Sequence, residues 1–435
     1  MSTVFLPNLF FEEELTAGAA GSSERRPSAA AMRLAADLSP VMGLLAERNE
    51  ESYVLVGQGE VPSRIPSALS HVSFVTCDQW RTRTTRAASS QTRFVPWGWS
   101  SCAQQIAAFV GSVGSFPDVS IVEFVNSRRF LVPMDQLVER DADSEPRSVP
   151  MNQGTFSRLC STLMDVEDGL SELAEQPNSA WVIKSNLSHA TRNRILGRGP
   201  VLSEAHRRWL ASQFRAEQPV ALEPWVERVA ECGLQFTISP GGGSGDIRFD
   251  GAAEMVTDSS GRYSGSWISS EAGPAWITPA VQYGFEVAHR MQLCGYFGPV
   301  GFDCMMFRDP EDGREKVRLC HDINARLTMG RVALSLRRYL GQNETGLWLH
   351  ADAGRWEMVT EDGSSERGTV VQVNTRTGSS VRIVPTSPVM TGSKPTQLKT
   401  ALLISGDRNA LQSVSDEILW HTSNSHPGLL MEERQ

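Results

Sequence analysis

Two strand-like segments near residue 300 restrict the fold of this chain more than any other feature of its sequence. One covers residues 299–307 and the other 316–326, and the turn-forming stretch 309–313 (Asp-Pro-Glu-Asp-Gly) joins them. A short connection of this composition between two apolar segments predicts an antiparallel hairpin. We therefore expect an antiparallel sheet in which these two strands are neighbours.

The second strand of this hairpin separates polar from apolar side chains. Because successive side chains of a strand point to opposite faces, Asp322, Asn324 and Arg326 share one face, and the apolar residues at 323, 325 and 327 share the other. The hairpin brings Asp303 of the first strand opposite Asp322 or Asn324, and the sequence leaves this register open. Either register places two carboxylates and an amide on a single face.

Two carboxylates in such a position predict a bound cation. At about 4 Å and an effective dielectric of about 20, their repulsion is on the order of 4 kcal/mol, which favours protonation of one group or binding of a metal ion. Carboxylate and amide oxygens suit Mg²⁺, and Mn²⁺ fits the same ligands. The alternative is an ordinary solvated hairpin face, but the complete set of Asp303, Asp322, Asn324 and Arg326 favours the metal site.

Lysine is scarce in this chain, and its first occurrence is informative. Only four of the 41 basic residues are lysines, and none precedes Lys184. Lys184 ends the apolar segment 180–184, a predicted strand. A compact ammonium there, in a chain that otherwise uses arginine, indicates a contact with a phosphate group. The alternative is a lysine at a strand end that extends into water.

The segments after Lys184 predict a loop, a helix and two further strands. Residues 186–199 carry small and basic side chains, which is typical of a mobile flap over an anion and equally of a basic surface loop. A helical pattern follows over 205–214. Apolar runs at 220–226 and 231–238 predict strands, and the glycine-rich stretch 240–245 predicts a hairpin connection after them.

The order of these features resembles the ATP-grasp family of carboxylate ligases. A strand that ends in Lys184 is followed by a loop, the segment Glu223-Pro-Trp-Val226, a polar strand, then Asp303 and Asp322-Ile-Asn-Ala-Arg326. The resemblance covers about residues 125–345. It implies a two-lobed ATP-grasp fold, ATP and Mg²⁺ as cofactors, and ligation of a carboxylate to an amine through an acyl phosphate.

The resemblance implies ATP-binding roles for seven residues: Lys184, Asn186, Glu223, Trp225, Val226, Glu231 and Gln235. Lys184 would bind phosphate, and residues 223–226 would contact adenine through Glu223 and the main chain of the two residues after Pro224. The ribose hydroxyls would be reached by Glu231 or by Gln235. This choice stays open because the spacing is longer than in simple members of the family.

The resemblance also implies the residues of the chemical step. Asp303, Asp322 and Asn324 would bind the metal, and Arg326, with Lys184, would face the transferred phosphoryl group. Two features depart from the family pattern. The family more often has Glu where Asp322 stands, and a second upstream lysine is missing. One of four arginines would replace that lysine: Arg128, Arg129, Arg147 or Arg158.

Length and composition are consistent with a multidomain enzyme. The 435 residues suffice for two or three domains with large cores, and 40% of them are hydrophobic. No apolar run reaches transmembrane length, and the acidic start at 10–14 argues against a secretory signal, so we expect a cytoplasmic protein without a membrane partner. Seven scattered cysteines predict reduced thiols, and the net charge of −9 disfavours nucleic-acid binding.

The sequence predicts an α/β and α+β architecture in three parts. Residues 1–125 would form a Rossmann-like pre-grasp domain with strands at 53–57, 72–76 and 119–125 and helices at 30–47 and 103–110. Residues 126–345 would form the ATP-grasp domain, and 346–435 a small C-terminal extension or cover. That extension would contain strands at 369–373 and 380–384 and a helix at 408–420.

Several connecting segments complete this prediction. Residues 16–31 and 140–145 are expected to be loops. The segments 96–100 and 125–128 are expected at the junction between the first two domains, where Trp97 and Trp99 would pack between them.

These patterns predict an ATP-dependent carboxylate–amine ligase. Its substrates would be small-molecule or peptide carboxylates and amines, which the sequence does not identify, and it does not indicate the oligomeric state. Two alternatives stay open: a non-catalytic nucleotide-binding regulatory protein on a decayed ATP-grasp fold, and an ATP-dependent phosphotransferase that stops after the first transfer.

Overall fold

A computed structural model describes most of the chain. The described residues are 2–20, 27–84, 92–135, 137–139, 156–174, 180–187, 193–241, 246–257, 262–269, 273–310, 312–359, 371–374 and 379–420. Within these ranges, no helix is long and apolar enough to cross a membrane.

The N-terminal part is a four-stranded parallel sheet with helices around it. Its strands lie in the order β4-β2-β1-β5, and every neighbouring pair is parallel, as the sequence predicts. The elements are β1 (Ser2–Leu6), α1 (Phe11–Ala20), α2 (Ala29–Leu38), β2 (Glu51–Leu55), β3 (Pro62–Ser63), β4 (Val72–Val75), α3 (Cys77–Thr84), β5 (Thr92–Pro96) and α4 (Ser101–Phe109). Helix α2 continues into a 3-10 helix, Ser39–Leu45, because Pro40 cannot continue an α-helix.

Two sequence predictions in this part are wrong. The predicted strand at 119–125 is helix α5 (Val119–Val125), which begins after an Asp118 N-cap and buries Val122 and Val125, three residues apart. Its β-branched composition suggests a strand, but the cap and this burial spacing favour a helix. The predicted loop at 16–31 lies partly in helices α1 and α2, since its alanines are strong helix formers; residues 21–26 lie outside the described part.

A small antiparallel sheet follows, with strand order β7-β10-β8-β9. Two short helical segments lead into it, α6 (Arg128–Leu131) and the 3-10 helix Val132–Met134. The elements of the sheet and its helices are β7 (Arg158–Cys160), α7 (Leu163–Ala174), β8 (Ala180–Ser185), β9 (Arg194–Arg198), α8 (Glu204–Arg215) and β10 (Val220–Pro224). Trp181 and Ile183 of β8 pack with Leu170 and Leu210 of the two helices, so Lys184 points to the opposite face of the sheet.

The largest sheet of the described structure has ten strands, in the order β17-β18-β21-β16-β13-β12-β11-β14-β15-β6. Its strands are β6 (Leu137–Glu139), β11 (Glu227–Ile238), β12 (Ile247–Thr257), β13 (Tyr263–Ser269), β14 (Gly298–Arg308), β15 (Glu315–Asn324), β16 (Thr345–Asp352), β17 (Val371–Asn374), β18 (Ser380–Pro385) and β21 (Leu398–Ser405). The helices of this part are α9 (Thr278–Leu293), α10 (Met329–Ser335), α11 (Ala353–Val359) and α12 (Arg408–Trp420). The short strand β19 (Met390–Thr391) pairs on one side with β20 (Lys394–Pro395) and on the other with β3.

The predicted hairpin at 299–326 is confirmed. Strands β14 and β15 are antiparallel neighbours, and their register places Asp303 directly opposite Asp322. Ile323, Ala325 and Leu327 are buried in the core, as their alternation predicts. The predicted hairpin connection at 240–245 is also consistent with the structure, because β11 and β12 on either side of it pair antiparallel.

The C-terminal strands belong to the large sheet. Strands β16, β21, β18 and β17 continue this sheet from β13 by antiparallel pairing. The large sheet therefore contains strands from both sides of the predicted domain boundary at residue 345. The predicted strand at 380–384 and helix at 408–420 are confirmed, and the described part of the predicted strand at 369–373 lies in β17. The boundaries 1–125, 126–345 and 346–435 stay predictions. The predicted loop at 140–145 lies outside the described residues.

One buried arginine joins the two antiparallel sheets. Arg318 of β15 is 1% exposed, and its Nη1 donates to Glu223 Oε2 of β10 over 2.8 Å. Its Nε donates to Asp135 Oδ1 over 2.7 Å, and its Nη2 donates to Asp135 and to Ser157. The ring of Phe156 lies 4.4 Å from the guanidinium carbon. Burying these charges is costly, and their mutual pairing offsets that cost.

We expect Arg318→Met to destabilise the protein by about 3–5 kcal/mol, because it leaves the carboxylates of Asp135 and Glu223 buried with too little compensating charge. Urea unfolding measures this change. Arg248→Met is the matched control, since the Arg248 side chain is 75% exposed beside Asp250 and its loss should cost at most about 1 kcal/mol. Equal effects of the two substitutions would contradict the role of Arg318.

Candidate active site

One face of the large sheet carries the predicted site residues. Glu231, Gly233 and Gln235 alternate along β11, and Gly233 pairs with Asp303 of β14, which pairs with Asp322 of β15. Directly paired residues point to the same side of a sheet. A Cβ added at position 233 would lie 3.3 Å from Gln235 Nε2, which is a tight contact, and at an ordinary 3.5 Å from Asp303 Oδ1. Arg318 and Glu223 link this part of the sheet to β10.

Asp303 is the most perturbed carboxyl group of this face. Burial, together with the negative charges of Asp322 and Glu231, raises the pKa of Asp303 to about 7. Asn324 Nδ2 donates a hydrogen bond to Asp303 Oδ2 over 3.1 Å and partly compensates. This arrangement is the like-charge pair that the sequence predicts, and it attracts a proton or a cation.

Asp322 has a cationic partner of its own. Arg128 Nη1 lies 3.2 Å from Asp322 Oδ1, and the arginine is 3% exposed. Of the arginines proposed to replace a second lysine, Arg128 is therefore the one that contacts a predicted metal ligand. Arg129 instead donates to the carbonyl of Glu217, and Arg158 pairs with the exposed Glu172. Arg147, the fourth alternative, lies outside the described residues.

The donor set is consistent with Mg²⁺. Where the chain is described, no group of three or more His, Cys, Asp or Glu side chains is placed to hold a metal ion. The facing pair Asp303 and Asp322 nevertheless offers hard oxygen donors. Mg²⁺ commonly takes one or two carboxylates and completes its shell with phosphate oxygens and water. Asn324 Oδ1 accepts one hydrogen bond, from Arg326 Nη2 over 2.9 Å, and its second lone pair is available to a metal ion.

Arg326 is held by three acceptors and retains spare donors. Its Nε donates to Glu12 Oε1 over 2.6 Å, its Nη2 to Asn324 Oδ1, and its Nη1 to the Leu327 carbonyl over 3.0 Å. A guanidinium has five N–H groups. Among the described contacts, two of them are left for a bound anion, as expected of a residue that faces a phosphoryl group.

Lys184 forms a buried ion pair with Glu223, and the Nζ–Oε2 distance is 2.8 Å. Burial lowers the pKa of Lys184, and the Glu223 carboxylate only partly restores it because Arg128 and Arg318 are close by. Burial would raise the pKa of Glu223, but Arg318 and Lys184 hold it below its usual range. Glu223 Oε1 is buried and accepts no hydrogen bond from the described residues.

The predicted adenine-binding segment connects β10 to β11. The Trp225 main-chain N–H donates to the Ala180 carbonyl over 2.8 Å, so this group is already engaged. The guanidinium carbons of Arg194 and Arg228 lie 5.2 and 5.5 Å from the centre of the Trp225 ring. Within this segment Glu223 contacts Lys184, and the adenine contact stays a prediction.

The two predicted ribose ligands differ in their surroundings. Glu231 Oε2 accepts hydrogen bonds from Arg228 and Thr257, and its Oε1 lies 3.9 Å from His321 Nε2. Gln235 is 1% exposed, and its Oε1 accepts from Thr328 over 2.8 Å. Gln235 therefore anchors the start of α10, and Glu231 is the better placed of the two alternatives.

In the structure Asn186 contacts protein groups, and part of the predicted flap is a strand. Asn186 Nδ2 donates to Gln218, and its carbonyl accepts from the Arg128 N–H over 2.8 Å, so Asn186 supports Arg128. Residues 194–198 form strand β9 instead of a loop, because Ile195 packs against the core of the small sheet. Residues 188–192 of the predicted flap lie outside the described part.

The structure adds site residues that the sequence analysis missed: Glu12, Asp135, Ser157, Arg318 and His321. Burial lowers the pKa of His321 well below its usual value, and its Nε2 is buried without a hydrogen-bond partner among the described residues. Of these five residues, only Arg318 could have been found from the sequence, because a charged residue between the apolar Val317 and Leu319 indicates a buried ion pair.

Both segments of the predicted domain junction contact the chain just after strand β15. The Leu327 N–H donates to the Trp97 carbonyl over 2.8 Å, and the Ala325 N–H donates to Asn126 Oδ1 over 2.9 Å. The strand end that carries Asn324 and Arg326 is therefore held from both predicted junction segments.

Comparisons with known proteins identify the fold. No protein-family model matches the chain, and no curated protein matches it. Biotin carboxylase from Campylobacter jejuni, solved as a beta-gamma-ATP complex, aligns with a TM-score of 0.52 and 9% identity over 95% of this chain and 89% of that one. N5-carboxyaminoimidazole synthase from Aspergillus clavatus, in complex with ADP and 5-aminoimidazole ribonucleotide, gives 0.48 and 12% over 96% and 98%. The biotin carboxylase domain of 2-oxoglutarate carboxylase from Hydrogenobacter thermophilus gives 0.49 and 9% over 93% and 86%.

The first of these similarities defines the class of architecture, in which a parallel α/β domain is followed by antiparallel sheets. This chain has that ATP-grasp fold, with its N-terminal pre-grasp domain. The predicted fold class is therefore confirmed.

We expect Asp303→Asn to stabilise the metal-free protein in a pH-dependent manner. Because the folded-state pKa of Asp303 is raised to about 7 from 3.8, its bound proton stabilises the fold fully below about pH 4, and this contribution is lost as the pH rises through 7. The melting temperature of the variant, relative to wild type, should rise from pH 4 to about 7 and then level off.

Asp250→Asn is the control for this measurement. Burial would raise the pKa of Asp250, but hydrogen bonding by Thr237 and the charge of Arg331 lower it, so the loss of its carboxylate should destabilise the protein by an amount that is fully present above about pH 4 and disappears at lower pH. A pH-independent difference between Asp303→Asn and wild type would show that Asp303 has an ordinary pKa.

Proposed function

We propose that the protein is an ATP- and Mg²⁺-dependent ligase that joins a carboxylate to an amine through an acyl phosphate. The observation that carries the proposal is the direct pairing of Asp303 with Asp322, next to Arg326 and within the charge environment of Lys184. The fold supports it, since the biotin carboxylase of the same fold was solved as a beta-gamma-ATP complex. Mn²⁺ fits the same ligands.

The nucleotide would lie between the small and the large sheet. Lys184 has three N–H donors, of which Glu223 takes one, so it can bind phosphate oxygens without losing its ion pair. Glu223 Oε1 is a buried acceptor in need of a donor, and an exocyclic amino group such as that of adenine would supply one. The same acceptor would reject a base that presents a carbonyl oxygen there.

The reaction requires two displacements. A substrate carboxylate oxygen attacks the γ-phosphorus of ATP, and the bond between that phosphorus and the β,γ-bridging oxygen breaks to release ADP. The amine then attacks the acyl carbon, loses a proton, and releases phosphate. Mg²⁺ bound by Asp303 and Asp322 would neutralise charge on the phosphates. The two remaining N–H groups of Arg326 would stabilise the charge on the transferred group.

The function is tested by ADP release in the presence of Mg²⁺, measured against a library of carboxylates with and without amines. We expect ADP release to require a particular carboxylate. Hydroxylamine in place of the amine should trap the acyl phosphate as a hydroxamate, which mass spectrometry detects. ADP release with a stable phosphorylated product and no hydroxamate would indicate a phosphotransferase, and ATP binding without turnover would indicate a regulatory protein.

We expect Lys184→Met to weaken ATP binding by about 1.5–3 kcal/mol, the value of a hydrogen bond to a charged group. The fold should persist, because Glu223 keeps its ion pair with Arg318. Isothermal titration calorimetry measures the affinity. Lys316→Met is the matched control, since Lys316 pairs with Asp309 and Asp312 at the hairpin turn and should not affect ATP. Equal ATP affinity in wild type and Lys184→Met would refute the phosphate contact.

A further inference from the structure

The N-terminal domain contributes a carboxylate to the predicted catalytic arginine. Glu12 lies in the first turn of α1, 314 residues before Arg326, and accepts its Nε–H over 2.6 Å. Both side chains are 13% exposed. A charge-assisted hydrogen bond between partly buried groups is stronger than a surface ion pair.

The position of Glu12 is fixed by its neighbours on α1. Phe11 is fully buried, and its ring lies against Gly98, where an added Cβ would be 2.5 Å from the ring. Asn8 Nδ2 donates to the Gly98 carbonyl over 2.9 Å and to Glu14 over 3.1 Å. The start of α1 is thereby attached to the segment after β5, and Glu12 reaches Arg326 from a rigid support.

The same segment after β5 holds Arg326 from a second side. The Trp97 carbonyl accepts the Leu327 N–H, and the indole ring of Trp97 lies 5.9 Å from the Arg326 guanidinium carbon. Glu14, two residues after Glu12, binds Asn8 and Ser100 instead. Of these two carboxylates, Glu12 is the one that reaches the arginine.

Donor geometry indicates what this contact does. Glu12 takes the Nε–H, Asn324 and the Leu327 carbonyl take one N–H each from the two terminal nitrogens, and one N–H remains on each of those nitrogens. A guanidinium held in this way cannot rotate about its axis without breaking a hydrogen bond. Asn324 also donates to Asp303, so a continuous hydrogen-bonded line connects Glu12 to the carboxylate pair.

We propose that Glu12 is a positioning residue that orients Arg326 for the phosphoryl-transfer step. The proposal rests on the proposed function for its catalytic consequence. Among the described contacts, the Glu12 side chain binds Arg326 and none of the predicted ATP-binding residues. Its removal therefore lowers the turnover number and leaves the affinity for Mg²⁺-ATP unchanged, because the arginine still faces the site but samples unproductive orientations.

A double-mutant cycle tests this proposal. We expect Glu12→Ala to lower kcat for ADP release by about 10- to 100-fold, with Mg²⁺-ATP affinity within about twofold of wild type. In an Arg326→Ala background, Glu12→Ala should have no further effect on kcat, because its target is missing. Glu12→Gln, which keeps the acceptor oxygen, should recover part of the activity. Glu47→Gln, an exposed site in the same domain, is the control and should resemble wild type.

Two results would overturn the proposal. Multiplicative losses in the double mutant would show that Glu12 acts independently of Arg326. A gain of activity in Glu12→Ala would show that Glu12 competes with the substrate for the arginine.

A measurement that does not depend on catalysis distinguishes failure of this inference from failure of the proposed function. If the wild type releases no ADP, the proposed function fails, and the cycle is then read from the melting temperatures of the ligand-free proteins. Non-additive shifts for Glu12→Ala and Arg326→Ala would support the positioning contact, and additive shifts would refute it.

Discussion

The direct opposition of Asp303 and Asp322 on neighbouring strands is the constraint to which the rest of the site responds. Two carboxylates on one buried face repel each other, so each needs a compensating partner. Arg128 supplies one for Asp322, and the Asn324 amide supplies one for Asp303. The compensation is uneven, because Asp322 is in direct contact with a guanidinium, whereas Asp303 contacts an amide and the positive charge of Arg326 only partly offsets its burial. Asp303 is consequently the group with the raised pKa and the strongest demand for a cation.

A second line of alternating charge starts from the same strand. Arg318 lies four residues before Asp322 on β15 and pairs with Asp135 and Glu223, and Glu223 pairs with Lys184. Buried pairs of this kind contribute little net stability, since desolvation cancels most of the attraction. Their effect here is geometric. They tie the small sheet to the large one and keep Lys184 close enough to Asp322 for the two charges to interact.

The local sequence pattern predicted most of the helices and strands, but it did not predict which residues contact each other across domains. The hairpin at 299–326 and its polar face follow from alternation, because a period of two assigns each side chain to a face. Helix α5 was missed because its valines and isoleucine outweighed the Asp118 cap. The contact of Arg318 with Asp135 spans 183 residues, and that of Arg326 with Glu12 spans 314. Periodicity predicts the face of a strand or helix on which a side chain lies. It carries no information about which residue of another domain contacts that side chain.

Some hydrogen-bonding groups of the site have no partner among the described residues, and their chemistry indicates what could bind there. Lys184 and Arg326 each engage protein carboxylates but retain N–H donors, and Glu223 retains one buried acceptor oxygen. Donors held in advance by fixed carboxylates need no reorganisation when an anion arrives, and in a buried site they act at low dielectric. Phosphate oxygens would satisfy the donors and an amino group would satisfy the acceptor. The supporting contacts come from α1, β10 and β15, so this complementarity arises only when the N-terminal domain and both sheets are assembled.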